Sequence, residues 1–98
     1  MSLMDLDLTS KALPQAWKST VLGRVGGSNI KVLRMNEMSV EAEVHDYTEG
    51  LLVISGQLLL GVDGECVRVG EGQIYLAEAG VPHSVLSGSY GTLVIIDV

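Results

Sequence analysis

The chain has 98 residues, a formal net charge of -6 and 47% hydrophobic residues. This length gives room for one domain with one hydrophobic core. The negative charge, which no local cluster of Lys or Arg offsets, argues against binding to nucleic acid or to a membrane surface. One cysteine, Cys66, cannot form an internal disulfide, and the early acidic residues Asp5 and Asp7 do not fit a secretory leader. We expect a cytoplasmic protein and, because so short a chain leaves apolar surface uncovered, a homodimer.

The N-terminal segment is predicted to lie outside the main fold. Thr9 or Ser10 could cap a short helical turn, which Pro14 would end because proline lacks the backbone N–H that continues a helix. We therefore predict a strap or lid over residues 1–18 and a single β-barrel domain over residues 19–98.

From Ser19 onward the sequence has the pattern of an all-β domain, in which turn residues recur about every ten residues. The turns include Gly26-Gly27-Ser28-Asn29 and Asp63-Gly64, while Gly56 interrupts one run as a bulge or bend. The runs predicted as strands are Thr20–Val25, Ile30–Met35, Val40–His45, Leu51–Val62, Glu65–Val69, Gln73–Ala77, Ser84–Leu86 and Thr92–Val98. Their number and short connections predict an antiparallel jelly-roll barrel, which is wide enough inside for one small ligand.

Along the third predicted strand the side chains alternate between two faces. The apolar members are Val40, Ala42 and Val44, and the polar members are Glu41, Glu43 and His45. The polar face, with carboxylates and an imidazole, is the first sign of a chemical site.

The only two histidines, His45 and His83, lie in stretches that resemble the two signatures of the cupin family, here a small bacterial-type cupin. The first family signature is a His, any residue, a second His, three or four residues, a Glu, six residues and a Gly. This sequence supplies His45, Glu49 and Gly56 at the later positions, and Glu43 replaces the first His.

The second family signature is a Gly, five residues, a Pro, one residue, a Gly, two residues, a His, three residues and an Asn. Gly72, Gly80 and His83 match it, whereas Glu78 replaces the Pro and Ser87 replaces the Asn. The resemblance covers residues 41–98 and implies the double-stranded β-helix barrel of that family.

The resemblance implies that His45, Glu49 and His83 bind one divalent metal ion. Two imidazoles and a carboxylate form the facial arrangement associated with non-haem Fe(II), and Mn, Zn and Ni also fit. Glu43 is a candidate fourth ligand, a general base, an acceptor for an imidazole N–H, or a carboxyl protonated at raised pKa. Tyr47 is a candidate proton donor beside the metal, or else a surface tyrosine.

Two functions remain open at this point. The resemblance implies a metal-dependent dioxygenase or isomerase that acts on a small organic molecule. The alternative is a metal-free or metal-sensing module that binds a small-molecule ligand without catalysis. In that case Glu43 and Glu78, which replace residues of the family signatures, would indicate that the metal site has been lost. Trp17 and Tyr75 are expected in the core or an interface, and Cys66 as a small buried residue or a surface thiol.

Overall fold

The computed structural model describes residues 2–98, which form one short helix and eight strands. In chain order these are α1 (Leu6–Ala12), β1 (Thr20–Val25), β2 (Ser28–Met35), β3 (Val40–Glu43), β4 (Glu49–Val62), β5 (Glu65–Gly70), β6 (Ile74–Ala77), β7 (His83–Val85) and β8 (Tyr90–Asp97). All strand pairs are antiparallel, so the predicted all-β antiparallel class is confirmed. No helix within residues 2–98 has the length and apolar character needed to cross a membrane.

The strands form one curled sheet in the order β1-β2-β8-β4-β7-β3, with β5 and β6 also paired to β4. Strand β4 has 14 residues and pairs with four other strands, which makes it the central element. Curling brings one face of the sheet around a common interior. The buried side chains that fill this interior are Leu33, Met35, Leu51, Val53, Leu58, Leu60, Val69, Ala77 and Leu93.

A pair of glycines allows β4 and β8 to approach closely where β4 bends. Gly56 and Gly91 are register partners, and their φ angles are 80° and 98°. A Cβ atom on Gly56 would lie 2.0 Å from the carbonyl oxygen of Tyr90, and one on Gly91 would lie 2.1 Å from that of Ser55. Only glycine fits at either position. The bulge or bend predicted at Gly56 has its counterpart just before it, in the register shift against β8 between Val53 and Ser55.

The hairpin turns agree with their sequence signals, with one difference in length. Asp63 and Gly64 have φ angles of 50° and 77°, as a two-residue turn with both φ values positive requires. The first turn is shorter than predicted, because Ser28 and Asn29 already belong to β2. The cause is pairing on both sides of β2, since Asn29 lies opposite Arg24 on β1 and opposite Asp97 on β8.

Helix α1 begins earlier than predicted, so the assignment of Thr9 or Ser10 as its cap is wrong. The side chain of Asp5 accepts a hydrogen bond from the backbone N–H of Leu8 at 3.0 Å and is the cap. Ser10 is instead buried, and its hydroxyl donates to the carbonyl oxygen of Leu33 at 3.4 Å. The helix therefore packs on the sheet, where it contacts β2, β4 and β8.

The third strand is shorter than predicted, and its polar face lines the cavity, in agreement with the chemical site expected there. Strand β3 ends at Glu43, so His45 lies in the loop that follows. The apolar members Ala42 and Val44 are exposed, while Glu43 and His45 line the interior cavity. Strand β3 lies at the edge of the sheet and pairs only with β7.

Candidate metal centre

A cavity of about 280 Å³ opens at one end of the barrel interior. Its apolar lining includes Leu33, Leu51, Leu58, Leu60, Leu93 and Ile95. Its polar lining includes Glu43, His45, Tyr47, Glu49 and His83. The curled sheet therefore brings every residue singled out as a ligand or catalytic candidate to one place.

Three strands and one loop position the four candidate ligands. His83 begins β7 and lies opposite Glu43, the last residue of β3. Glu49 begins β4 and lies opposite Ala77 on β6. His45 is in the loop between β3 and β4, so its position depends on contacts outside the sheet.

The loop that carries His45 is tied to the loop that leads to the second histidine. The carbonyl oxygen of His45 accepts a hydrogen bond from the N–H of Gly80 at 2.8 Å. The hydroxyl of Thr48 accepts from the N–H of Ala79 at 3.3 Å. These bonds fix the distance between two segments that are far apart in sequence.

The four side chains come within a few ångströms of one another. His45 Nε2 lies 3.4 Å from Glu43 Oε2 and 4.0 Å from Glu49 Oε2, while His83 Nε2 lies 3.5 Å from Glu49 Oε1. Glu43, His45 and His83 offer donor atoms that all lie within 4.8 Å of one another. Donors around one ion at bond lengths of about 2.0–2.2 Å are separated by about 3–4 Å, so the spacing suits a shared ion. Glu49 adds a fourth donor through its contacts with both imidazoles.

Two imidazole nitrogens at this site are buried and lack a hydrogen-bond partner within residues 2–98. They are His45 Nε2 and His83 Nδ1. A buried nitrogen without a partner is costly, and a metal ion would take the lone pair of His45 Nε2. His83 turns Nε2 towards Glu49, and its Nδ1 lacks the acceptor that usually orients a metal-bound imidazole. The donor set therefore fits a divalent ion.

Glu49 has a perturbed acidity that follows from its position. Burial raises the pKa of its carboxyl, whereas the imidazoles of His45 and His83 act in the opposite direction. Asp97 and Glu43 add to the increase in pKa because their negative charges disfavour another one nearby. Without a cation, Glu49 holds its proton more strongly than an exposed glutamate does.

Tyr47 stacks on the imidazole of His45. The ring centroids are 5.0 Å apart, and the planes differ by 14°. Burial raises the pKa of the Tyr47 phenol, and the charges of Asp97 and Glu49 raise it further, so the hydroxyl stays protonated at neutral pH. The structure thus places Tyr47 beside the site, where it restricts the plane of His45.

Two charged residues in the cavity were missed by the sequence reasoning. Lys31 Nζ donates to Asp97 Oδ2 at 2.7 Å, and Asn29 Nδ2 donates to Asp97 Oδ1 at 3.1 Å. Lys31 and Asp97 both line the cavity. Side chains alternate between two faces along β2 and β8, so Lys31 shares a face with the buried Leu33. This alternation was the sequence signal that could have placed these residues in the cavity.

The N-terminal segment also contributes to the cavity wall. Trp17 packs against the core, as expected, but it lines the cavity as well. Its φ angle is 65°, its backbone N–H donates to the carbonyl oxygen of Arg34 at 2.9 Å, and its indole N–H donates to Asn36 Oδ1 at 2.7 Å. Tyr75 packs against the core as predicted, and Cys66 is an exposed thiol.

The comparison with known proteins gives one family and many similar folds. The model of the Cupin domain family, Cupin_2, matches residues 30–98. No curated protein matches the chain by sequence. A cupin-2 domain containing protein from Shewanella frigidimarina NCIMB 400 has a similar structure, with a TM-score of 0.88 and 18% identity over 98% of this chain and 94% of that one.

Two further solved structures have the same fold. Protein NMB1881 from Neisseria meningitidis has a TM-score of 0.83 and 18% identity, with 98% of each chain covered. A candidate mannose-6-phosphate isomerase from Ralstonia eutropha JMP134 has a TM-score of 0.72 and 16% identity over 88% of this chain and 86% of that one. At these identities the likeness shows the fold and not the reaction.

Proposed function

Since the chain belongs to the cupin domain family, we propose that its cavity binds one divalent metal ion and uses it to convert a small organic molecule. His45, His83 and Glu49 are the proposed ligands, and Glu43 is the proposed fourth. Fe, Mn, Zn and Ni suit this mixture of imidazole and carboxylate donors.

The observation that carries this proposal is the buried, unpartnered Nε2 of His45, with carboxylates 3.4 and 4.0 Å away. An imidazole that served only the core would be expected to find a hydrogen-bond partner. A positive ion among Glu43, His45, Glu49 and His83 accounts for the open nitrogen and for two carboxylates side by side.

A divalent ion at this place supplies Lewis-acid chemistry or oxygen activation at its open coordination positions. The remaining work falls to the side chains of this chain. The Glu43 side chain is 59% exposed and is the proposed fourth ligand or, where it does not bind the ion, the general base. Tyr47 keeps the His45 ring in one plane, and the apolar lining of the cavity excludes water from one side of a bound molecule.

The test of metal binding is elemental analysis of protein purified without an affinity column. We expect one ion per chain in wild type and in Glu65→Gln, a control at an exposed carboxylate on β5. We expect the ion to be lost in His45→Ala and His83→Ala, with circular dichroism confirming that both variants fold. A wild type that stays empty after loading with Fe(II), Mn(II), Ni(II) and Zn(II) would overturn the proposal in favour of a metal-free binding module.

The proposed reaction types, a dioxygenase or an isomerase, differ in their need for oxygen. With the Fe(II)-loaded protein and a small-molecule panel, dioxygenase activity consumes O₂ in proportion to product. Isomerase activity proceeds equally under nitrogen, and NMR of the products detects it. His45→Ala should abolish either activity because the ion would be absent.

A further inference from the structure

We infer that Lys31 binds the carboxylate of the ligand, so that the site selects small organic anions carrying a second oxygen that faces the metal ion. This inference rests on the proposed function, because it takes the ion as the second point of attachment. It identifies the class of molecule that the cavity accepts: short hydroxy or oxo carboxylates.

Lys31 has the position and the unused donors that such a role requires. It is the only Lys or Arg that lines the cavity within residues 2–98, and its side chain is 25% exposed. An ammonium group has three N–H donors. In the described part of the chain it makes one hydrogen bond, to Asp97, which leaves two donors for a ligand.

Asp97 holds the ammonium group in place. Asn29 and Lys31 donate to its two oxygens, and the Asp97 side chain is 4% exposed, so this carboxylate is already satisfied. The hydrogen bond to Asp97 also raises the pKa of Lys31, which keeps the ammonium charged at any physiological pH. The cation is therefore fixed before a ligand arrives, and little conformational freedom is lost on binding.

The sheet register places this pair next to the proposed metal ligands. Gly50 on β4 lies opposite Ile96 on β8, so Glu49 and Asp97 are neighbours across the two strands. Adjacent strands are about 5 Å apart. A molecule with only a few bonds between its carboxylate and its second oxygen therefore spans from Lys31 to an ion beside Glu49.

The local charge makes binding of an anion dependent on the ion. Four carboxylates, from Glu41, Glu43, Glu49 and Asp97, line the cavity together with one cationic side chain, Lys31, and this excess of acidic groups disfavours an anion in the metal-free cavity. A divalent ion would offset two of these negative charges, and the ion and the free donors of Lys31 would then be the two groups that attract an anion. The cavity of about 280 Å³ is smaller than most ligand pockets, which favours a small ligand with a short apolar body.

The experiment is isothermal titration calorimetry of the Zn(II)-loaded protein with 2-, 3- and 4-hydroxybutyrate, each compared with its neutral amide. We expect at least one hydroxybutyrate to bind wild type more tightly than its amide. In Lys31→Met its affinity should fall about tenfold to a hundredfold, while the affinity of the amide stays the same. Lys11→Met, at an exposed lysine on α1, is the matched control and should behave as wild type.

Lys31→Met/Asp97→Asn removes both charges and guards against misfolding caused by an unpaired Asp97. It should show the same loss of hydroxybutyrate affinity. Zinc content, measured on every sample, separates the two proposals. If all proteins carry one zinc ion but acids and amides bind alike, or no acid binds, the role of Lys31 is overturned alone. If wild type takes up no zinc, the proposed metal site itself fails.

Discussion

Glu49 is the residue at which stability and metal binding oppose each other. Its pKa is raised by burial, so the folded, metal-free protein binds a proton at this group more strongly than the unfolded chain does. The resulting stability is present at low pH and is lost as the pH rises through the folded-state pKa of Glu49. A bound cation would lower the pKa of Glu49 and so remove the cost of the buried charge, because it favours the charged carboxylate.

Glu49→Gln should therefore stabilise the metal-free protein at neutral pH, by about 1 kcal/mol, and weaken metal binding by at least tenfold. Urea unfolding in the presence of a chelator measures the first effect, and calorimetric titration with Zn(II) measures the second. Glu65→Gln, at an exposed position, should change neither quantity. Equal metal affinity in Glu49→Gln and wild type would show that Glu49 is not a ligand.

The pKa of Asp97 is shifted in the opposite direction, so its contribution to stability has the opposite dependence on pH. Burial alone would raise the pKa of Asp97, but hydrogen bonds from Lys31 and Asn29 outweigh it and hold the pKa below its usual value. The stability from this group is present above the ordinary aspartate pKa and is lost as the pH falls through the lower, folded-state pKa.

We expect Asp97→Asn to lower the free energy of unfolding by about 1–2 kcal/mol at neutral pH, because Lys31 loses its charged partner. The difference from wild type should shrink in acid, where Asp97 becomes protonated. Urea unfolding over a range of pH values measures both. A difference that stays constant down to acid pH would mean that the charge of Asp97 contributes nothing and that packing accounts for the loss.

At the scale of elements, the close pairing of β4 and β8 depends on two glycines. Gly91→Ala should destabilise the protein by about 3 kcal/mol or more, since its Cβ would collide with backbone, which cannot move as a flexible side chain can. Gly27→Ala is the matched control, because nothing lies within 4 Å of a Cβ there, and it should change the unfolding free energy by less than about 0.5 kcal/mol. Thermal and urea unfolding of both variants test this difference.

Local signals predicted the elements well where the backbone itself demanded particular residues. Asp63-Gly64 and Gly56 were identified because positive φ angles restrict the residue type. Strand β3 was predicted to be too long, because the alternation continues through Val44 and His45 although the pairing with β7 ends at Glu43. The helix cap was missed because Asp5, Thr9 and Ser10 are all suitable capping residues, and packing on the sheet selected among them.

The candidate site was predictable where its residues follow the fixed sequence spacing of the family signatures. His45, Glu49 and His83 matched family signatures, and the structure brings them together with Glu43 and Tyr47 in one cavity. Lys31 and Asp97 belong to no signature. Their meeting depends on the register of β2 against β8, which a single sequence does not reveal.

The whole molecule leaves an apolar face for which we expect a second copy of the chain as partner. Ile74 and Leu76 on β6 are 50% and 57% exposed, and Leu76 lies opposite Gly50 on β4. The net charge of -6 opposes association through charged surfaces, which favours an apolar contact such as this one. A stable dimer would bury about 1,200–2,000 Å² in total, so the contact would extend beyond β6.

Leu76→Glu should abolish the expected homodimer and give a monomer, because it would place a carboxylate on each side of the contact. Sedimentation velocity measures the change. Leu8→Glu alters an equally exposed leucine on α1 and should leave the dimer intact. A wild type that sediments as a monomer at all concentrations would contradict the expectation.

Trp17 gives the molecule a spectroscopic property of its own. It is the only tryptophan in the chain, its indole is held by Asn36, and it lines the same cavity as the histidines. Its fluorescence therefore comes from one fixed position beside the site. A paramagnetic ion such as Mn(II) or Ni(II) should quench this emission, whereas Zn(II), with its filled d shell, should only shift it, so the protein can report the kind of ion it holds without any added label.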